Sequence, residues 1–157
     1  MSQEIERKFR VTSTAYRNGA SRIRYRQNYL SNSESGVVRV RIAGEKGYLT
    51  IKGKNRGICR TEYEYEIPVV DAEEMLNNLC ALPEIEKIRF RILFEGFVWE
   101  VDEFGGENEG LIIAEIELAD ENTEFKKPDW VGEDVSHDAR YYNSNLLTNP
   151  YKNWSKI

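Results

Sequence analysis

Two carboxylates and an ammonium group alternate along the first segment of the chain. Glu4, Glu6 and Lys8 occupy every second position, and side chains of a β-strand point to opposite faces with a period of two, so a strand here would place all three on one face. Neighbouring carboxylates repel each other unless a cation lies between or opposite them. A hard divalent cation with oxygen ligands would satisfy them, and the ammonium group could hold a phosphate. An edge strand that carries charges against aggregation would show the same pattern.

Pairs of like charge recur at positions i and i+2 further along the chain. Each pair alternates with apolar residues in a segment that resembles a strand. The pairs are Glu4/Glu6, Arg39/Arg41, Glu62/Glu64, Lys87/Arg89 and Glu115/Glu117. Adjacent like charges destabilise an ordinary sheet, but they suit a barrel whose lumen holds a charged ligand, because cationic pairs bind an anion and acidic pairs bind a metal. The pattern therefore favours a tunnel over an amphipathic sheet with one solvated face.

Composition excludes several classes of function. A net charge of −5 gives no electrostatic reason to expect nucleic acid or a membrane surface as a partner. His137 is the single histidine, which excludes most metal sites and catalytic triads built on histidine. Cys59 and Cys80 lack the spacing of metal ligands, and neither a secretory signal nor an apolar run of membrane-spanning length is visible. We therefore expect a cytoplasmic protein with reduced thiols.

Strands are the elements predicted to position the charged pairs. Alternation predicts strands over 4–11, 22–30, 37–42, 48–52, 58–67, 86–94, 97–104 and 111–118. Between the fifth and sixth strands, Asp71 and Glu74 form a capping box, which predicts a helix that opens at Asp71 and ends at Pro83. Two further helices are predicted over 120–127 and 136–147, the second capped by Ser136 or Asp138.

The charged segments resemble, in order, the motifs of the CYTH family, the triphosphate tunnel metalloenzymes. The first segment is similar to the ExExK signature of that family, and seven further motifs follow on strands of matching parity. The matching segments are 4–9, 26–30, 38–41, 49–52, 60–64, 86–89, 100–104 and 114–117. The resemblance implies an α+β, mainly β fold: a closed eight-stranded antiparallel barrel around a tunnel, with a few flanking helices, forming a single domain over 1–157.

The resemblance also implies an activity. The family includes class IV adenylyl cyclases, thiamine triphosphatases, inorganic tripolyphosphatases and RNA 5′-triphosphatases, and this short chain resembles the bacterial tripolyphosphatase branch. Hydrolysis of inorganic tripolyphosphate with a divalent metal is the leading expectation, because no segment offers an evident element for recognising a base or thiamine. A thiamine or nucleoside triphosphatase, an adenylyl cyclase and a polyphosphate-binding module without turnover stay open. The many carboxylates favour an enzyme, since a pure anion binder gains nothing from them.

Roles for individual residues follow from the same resemblance. Phosphate oxygens would be bound by Lys8, Arg39, Arg41, Lys52, Arg60, Lys87, Arg89 and Arg140. Mg²⁺ or Mn²⁺ would be held by carboxylates drawn from Glu4, Glu6, Glu62, Glu64, Asp102, Glu115 and Glu117. Magnesium usually takes one or two carboxylates plus substrate oxygens and water, so not all seven can be direct ligands.

The resemblance pairs Lys52 with Tyr29 as catalytic residues. A lysine crowded by other cations gives up its proton more readily and could deprotonate water. Lys52 as a simple phosphate ligand and Tyr29 as a core aromatic are the alternatives.

Ala139 replaces a lysine that relatives often carry beside Arg140, which removes one cation from the expected tunnel mouth. The sequence leaves open whether the chain is a monomer or a homodimer.

Overall fold

One antiparallel sheet closes on itself in the computed structural model, which describes residues 3–80 and 83–154. The elements are β1 (Gln3–Val11), β2 (Ser21–Ser33), β3 (Gly36–Ala43), β4 (Lys46–Gly53), β5 (Cys59–Ile67), α1 (Val69–Asn78), β6 (Ile85–Phe94), β7 (Phe97–Phe104), β8 (Ile112–Glu117) and β9 (Val131–Asp134). The strand order is β5-β4-β3-β2-β6-β7-β8-β1-β9, and β5 also pairs with β1. The predicted eight-stranded antiparallel barrel is therefore confirmed, with β9 as an additional strand.

The first strand closes the barrel and also carries the additional strand. Residues 3–5 of β1 pair with 59–61 of β5, a seam of three residue pairs. Residues 6–10 pair with β8 on the opposite edge. Beyond the seam, Phe9 and Val11 pair with β9, and Arg7 forms an ion pair with Asp134 of β9. Because β5 leaves the edge of β1 after the seam, β9 satisfies the backbone groups that would otherwise be unpaired.

The register places charged residues of neighbouring strands side by side. Lys8 lies opposite Glu115, Lys52 opposite Glu62, and Arg89 opposite Asp102. A residue and its cross-strand neighbour share one face of the sheet. The charged residues of successive strands therefore lie on the same face of the sheet all around the barrel, and that face points inward.

Apolar residues on the outside of the barrel are covered by the connecting segments. Trp99 is fully buried and packs against Phe9, Phe125 and Trp130 at ring-centroid distances of 5.6 to 6.0 Å. Helix α1 covers β3 and β4, and Leu76 lies in a cluster with residues of β3. Within the two described ranges, no helix has the length and apolar character that crossing a membrane would require.

The predicted start of the helix at Asp71 is wrong. Pro68 is the N-cap of α1, its carbonyl accepts a hydrogen bond from the amide of Ala72 at 3.1 Å, and Asp71 lies in the first turn. A proline suits this place because its fixed φ and missing N–H cost nothing at the start of a helix. The helix ends at Asn78, before Pro83. The acidic side chain in the first turn still complements the helix dipole.

The predicted helix over 120–127 is also wrong, because a turn takes its place. The side chain of Asp120 accepts a hydrogen bond from the amide of Asn122 at 2.7 Å, and its carbonyl accepts one from Thr123 at 3.1 Å. Such local bonds compete with a helix. The chain then runs irregularly, and Phe125 packs against the core.

Two short 3₁₀ helices, Ala139–Tyr141 and Asn143–Leu147, replace the single helix predicted over 136–147. Asp138, one of the two cap residues predicted for the longer helix, caps the first of them by accepting a hydrogen bond from the amide of Arg140. Tyr141 and Leu146 are buried against Ile85 and Phe104. The pair of helices therefore covers one end of the barrel next to β6 and β7.

Candidate active site

The barrel encloses a charged cavity of about 280 Å³, lined by side chains from all eight strands of the barrel. It contains every predicted site residue except Asp102 and Arg140. The lining residues that the sequence predicted are Glu4, Glu6, Lys8, Tyr29, Arg39, Arg41, Lys52, Arg60, Glu62, Glu64, Lys87, Arg89, Glu115 and Glu117. Strand parity brings these residues together, since each lies on the inward face of its strand.

One side of the cavity carries buried cations from β3 and β6. Arg39 is 6% exposed, and its Nε atom is buried without a hydrogen-bond partner in the described chain. Burial, followed by the neighbouring Arg39 and Arg89, lowers the pKa of Arg41 to about 10. A buried donor without a partner and crowded like charges are both unfavourable until an anion arrives. This side of the cavity is therefore suited to phosphate.

Lys87 belongs to the same cationic side and is only 2% exposed. Burial lowers its pKa to about 7, and the charges of Arg89 and Arg41 add to that effect. Asp102, whose Oδ2 lies 2.8 Å from Lys87 Nζ, acts in the opposite direction. That carboxylate is shared with Arg89, which contacts both of its oxygens at 2.7 and 2.9 Å. One carboxylate thus faces two cations, which supports a lowered lysine pKa.

Carboxylates from β1, β5, β7 and β8 form the other side of the cavity. Burial raises the pKa of Glu117, and the nearby Glu4, Glu6 and Glu100 raise it further. This crowding of negative charge is what a hard cation would relieve. Within residues 3–80 and 83–154, no three such side chains are already close enough together to hold an ion. The donor chemistry fits a divalent metal, and the carboxylates would have to converge on it.

Lysines hold these carboxylates apart from one another. Lys8 Nζ lies 3.3 Å from Glu6 and 3.4 Å from Glu115. Burial acts to lower the pKa of Lys8, but Glu115 and Glu6 outweigh burial and raise that pKa above its ordinary value. Lys52 Nζ lies 3.0 Å from Glu4 and 3.4 Å from Glu62. Lys52 is therefore surrounded by carboxylates, not by the cations that the sequence analysis predicted around it. Crowding by cations is found at Lys87 and Arg41 instead.

Lys52 and Tyr29, the predicted catalytic pair, are not joined by a hydrogen bond in the described chain, where Lys52 bonds to Glu4. Tyr29 lines the cavity and also packs against the cluster under the C-terminal 3₁₀ helices. Lys52 is directed to the seam between β1 and β5 by its bonds to Glu4 and Glu62. Both side chains face the same cavity, so a bound molecule could touch the two together.

Two predicted residues lie off the lining. Asp102 is fully buried behind it, with both oxygens accepting hydrogen bonds from Arg89. Arg140 is 52% exposed at its side chain, pairs with Asp138 at 2.6 Å and lies over the ring of Trp154 at 5.1 Å. Asp102 thus positions cations of the cavity, whereas the structure does not bring Arg140 to the cavity.

The cavity also contains residues that were not predicted as site residues. Tyr25 and Glu100 line it, and Thr50 connects Arg39 to Glu64 by hydrogen bonds of 3.1 and 3.0 Å. Strand parity could have indicated these three, because each lies an even number of residues from a predicted site residue of the same strand and therefore on the same face. Asn143 lines the cavity from a 3₁₀ helix, and no sequence pattern indicates that.

We expect the unliganded protein to become more stable as the pH rises above about 7. The pKa of Lys87 is about 7 in the folded chain and 10.5 at its ordinary value. Between these values the unfolded chain holds more protons, so the free energy of unfolding rises by up to about 1.4 kcal/mol per pH unit. Urea unfolding between about pH 7 and 9 measures this slope. Lys87→Met should flatten it, and an unchanged slope in the variant would contradict the assignment.

Comparison with known proteins agrees with this geometry. The CYTH domain matches residues 2–144 of the chain. An inorganic triphosphatase of Acetivibrio thermocellus is 58% identical over 156 residues, which cover 99% of this chain and 100% of that protein. An inorganic triphosphatase of Nitrosomonas europaea is 35% identical over 147 residues, covering 91% and 95%. A crystal structure of an inorganic triphosphatase matches with a TM-score of 0.68 at 33% identity, covering 94% of this chain and 95% of that one. The chain belongs to the CYTH family.

Proposed function

We propose that this protein hydrolyses inorganic tripolyphosphate to pyrophosphate and phosphate with a divalent metal, Mg²⁺ or Mn²⁺. The observation that carries the proposal is a single cavity with buried cations on one side and crowded carboxylates on the other. The first side suits a chain of phosphates and the second suits a hard metal ion. Relatives at 58% and 35% identity that are named inorganic triphosphatases support the substrate.

The cationic residues bind the phosphate chain in this proposal. Arg39 presents a guanidinium group, which can match two phosphate oxygens at once. Arg89, whose Nε and Nη2 already donate to Asp102, adds positive charge, and Lys87 and Lys8 act as point charges. Asp102 holds Arg89 and Lys87 in place rather than binding metal, because its oxygens already accept two hydrogen bonds from Arg89 and form an ion pair with Lys87.

Metal binding is assigned to carboxylates on the acidic side. They are Glu4, Glu6, Glu62, Glu64, Glu115 and Glu117. A bound Mg²⁺ or Mn²⁺ would polarise a phosphoryl oxygen and lower the pKa of a water molecule. Glu4 and Glu62 are at present paired with Lys52. If these carboxylates turn toward a metal, Lys52 loses both ion-pair partners. As the general base of this proposal, its ammonium group must first release its own proton to solvent before the amine accepts one from water, with Tyr29 on the same cavity wall.

Alternative functions differ in their products. A thiamine or nucleoside triphosphatase would prefer an organic triphosphate, an adenylyl cyclase would convert ATP to cyclic AMP and pyrophosphate, and a binding module would turn nothing over.

A cytoplasmic location is also part of the proposal. The free thiols of Cys59 and Cys80 support it.

Phosphate release by the purified protein tests the proposal directly. Tripolyphosphate, ATP and thiamine triphosphate are each offered with Mg²⁺ and with Mn²⁺, and phosphate and pyrophosphate are both measured. We expect tripolyphosphate to have the highest kcat/KM and to yield both products in equal amounts. Cyclic AMP and pyrophosphate from ATP, without phosphate, would establish a cyclase instead, and binding without turnover would establish a binding module.

A further inference from the structure

Two side-chain amides, rather than carboxylates, hold part of the cationic side of the cavity. Arg41 Nε donates a hydrogen bond to Gln27 Oε1 at 3.0 Å. Gln27 Nε2 donates to Asn143 Oδ1 at 3.3 Å, and Lys87 Nζ donates to the same oxygen at 2.9 Å. Gln27 is fully buried. A chain of hydrogen bonds thus joins β3, β2, the 3₁₀ helix Asn143–Leu147 and β6.

The other lysines of the cavity are held differently. Lys8 lies between two carboxylates, and so does Lys52. A carboxylate orients a cation and also neutralises it, whereas an amide oxygen accepts the same hydrogen bond without a net charge. Arg41 is therefore oriented with its charge intact, and the direct ion-pair partner of Lys87 in the described chain is Asp102, which Lys87 shares with Arg89.

We propose that Gln27 and Asn143 are positioning residues that direct the donors of Arg41 and Lys87 toward the substrate while leaving their positive charge available to it. This inference rests on the proposed binding of a triphosphate in the cavity. It also gives the C-terminal segment a part in the site, because Asn143 reaches the cavity from the 3₁₀ helix at 143–147. The neutrality of these two side chains, and not only their hydrogen bonds, sets the affinity for the anion.

Asn143→Asp separates neutrality from hydrogen bonding. Aspartate has nearly the same shape, and its oxygens still accept from Lys87 and Gln27, so a purely structural role is preserved. The added charge opposes the phosphate, and a unit charge at about 10 Å and an effective dielectric constant of about 20 changes affinity by roughly tenfold or more. We expect the dissociation constant for tripolyphosphate, measured by calorimetry in chelator, to rise about tenfold. The melting temperature should not fall, since a new ion pair with Lys87 is added.

Calorimetry in chelator keeps a metal from binding the new carboxylate and obscuring the result. With metal present, KM should rise by a similar factor while kcat changes less. Asn149→Asp is the matched control, because Asn149 is exposed, lies six residues after Asn143 and does not line the cavity. That variant should bind tripolyphosphate like the wild type.

The outcomes distinguish this inference from the proposed function. Equal dissociation constants for the wild type and Asn143→Asp would overturn the inference alone. A wild type that binds no tripolyphosphate, either in chelator or with metal, would overturn both. One that binds it but does not hydrolyse it with Mg²⁺ or Mn²⁺ present would overturn only the proposed activity. Should Asn143→Asp not fold, Asn143→Leu decides: it removes the acceptor without adding charge, so weaker binding supports positioning and unchanged binding refutes it.

Discussion

Replacement of both Glu4 and Glu6 by glutamine should reduce turnover of tripolyphosphate by about three orders of magnitude while the barrel stays folded. Glutamine keeps the size and hydrogen bonding of the side chain but lacks the charge that a hard cation requires. A metal supplies several kcal/mol of transition-state stabilisation, which corresponds to this loss in rate. The fold should persist because the variant loses ion pairs to Lys52 and Lys8 but also loses repulsion between neighbouring carboxylates.

Rates of phosphate release at saturating metal, together with circular dichroism, measure this prediction. Glu45 and Glu109 are both exposed and lie outside the cavity lining, so their double replacement by glutamine removes the same charge without touching the site. That control should turn over at the wild-type rate. Full turnover of the Glu4/Glu6 variant, or of the wild type in chelator, would count decisively against a metalloenzyme.

Replacement of Lys52 by arginine should lower kcat by about 10²- to 10⁴-fold, the usual contribution of general acid–base catalysis. Arginine can keep the ion pairs to Glu4 and Glu62, so the seam of the barrel should survive. The guanidinium group does not deprotonate in proteins and cannot accept a proton from water. If Lys52 is only a phosphate ligand, the same variant retains the wild-type kcat and shows mainly a raised KM.

Two variants provide the comparison for Lys52→Arg. Arg39→Lys keeps a charge and loses the planar fork of donors, so its defect should appear in KM. Tyr29→Phe removes a hydroxyl group from the same cavity and should lower kcat less than Lys52→Arg does. The measurement is kcat and KM on tripolyphosphate across pH. A Lys52→Arg enzyme with wild-type kcat would remove Lys52 from proton transfer.

Strand parity is the part of the fold and site that the sequence predicts well. Period-two alternation places Arg39 and Arg41 on one face of β3, and a barrel directs the charged face of each strand into one cavity. The segments flanking the barrel were less predictable. Asp120 forms a turn where the sequence predicts the start of a helix, and the four-residue strand β9 is too short to show alternation.

Pairing within the cavity could not be predicted from alternation. Parity says which face a side chain occupies, but not how far along the barrel axis it lies from a residue on a distant strand. Lys52 therefore contacts Glu4 across the seam rather than Tyr29. Asn143 could not be predicted as a site residue for a different reason. It reaches the cavity from a short 3₁₀ helix near the C-terminal end, where the sequence has no periodic pattern that would show which side chains point inward.

The place of β1 in the barrel has a consequence for how the chain folds during synthesis. All three partners of this strand come later in sequence: Ile5 pairs with Cys59 of β5, Glu6 with Glu117 of β8, and Phe9 with Asp134 of β9. This strand leaves the ribosome before any of them and has no complete set of partners until β9 has been translated. Non-local pairing of this kind slows folding, and an unpaired strand is prone to aggregate. Glu4, Glu6 and Lys8 give the nascent strand a charged face, so the residues assigned to ligand binding also keep it in solution until the barrel closes.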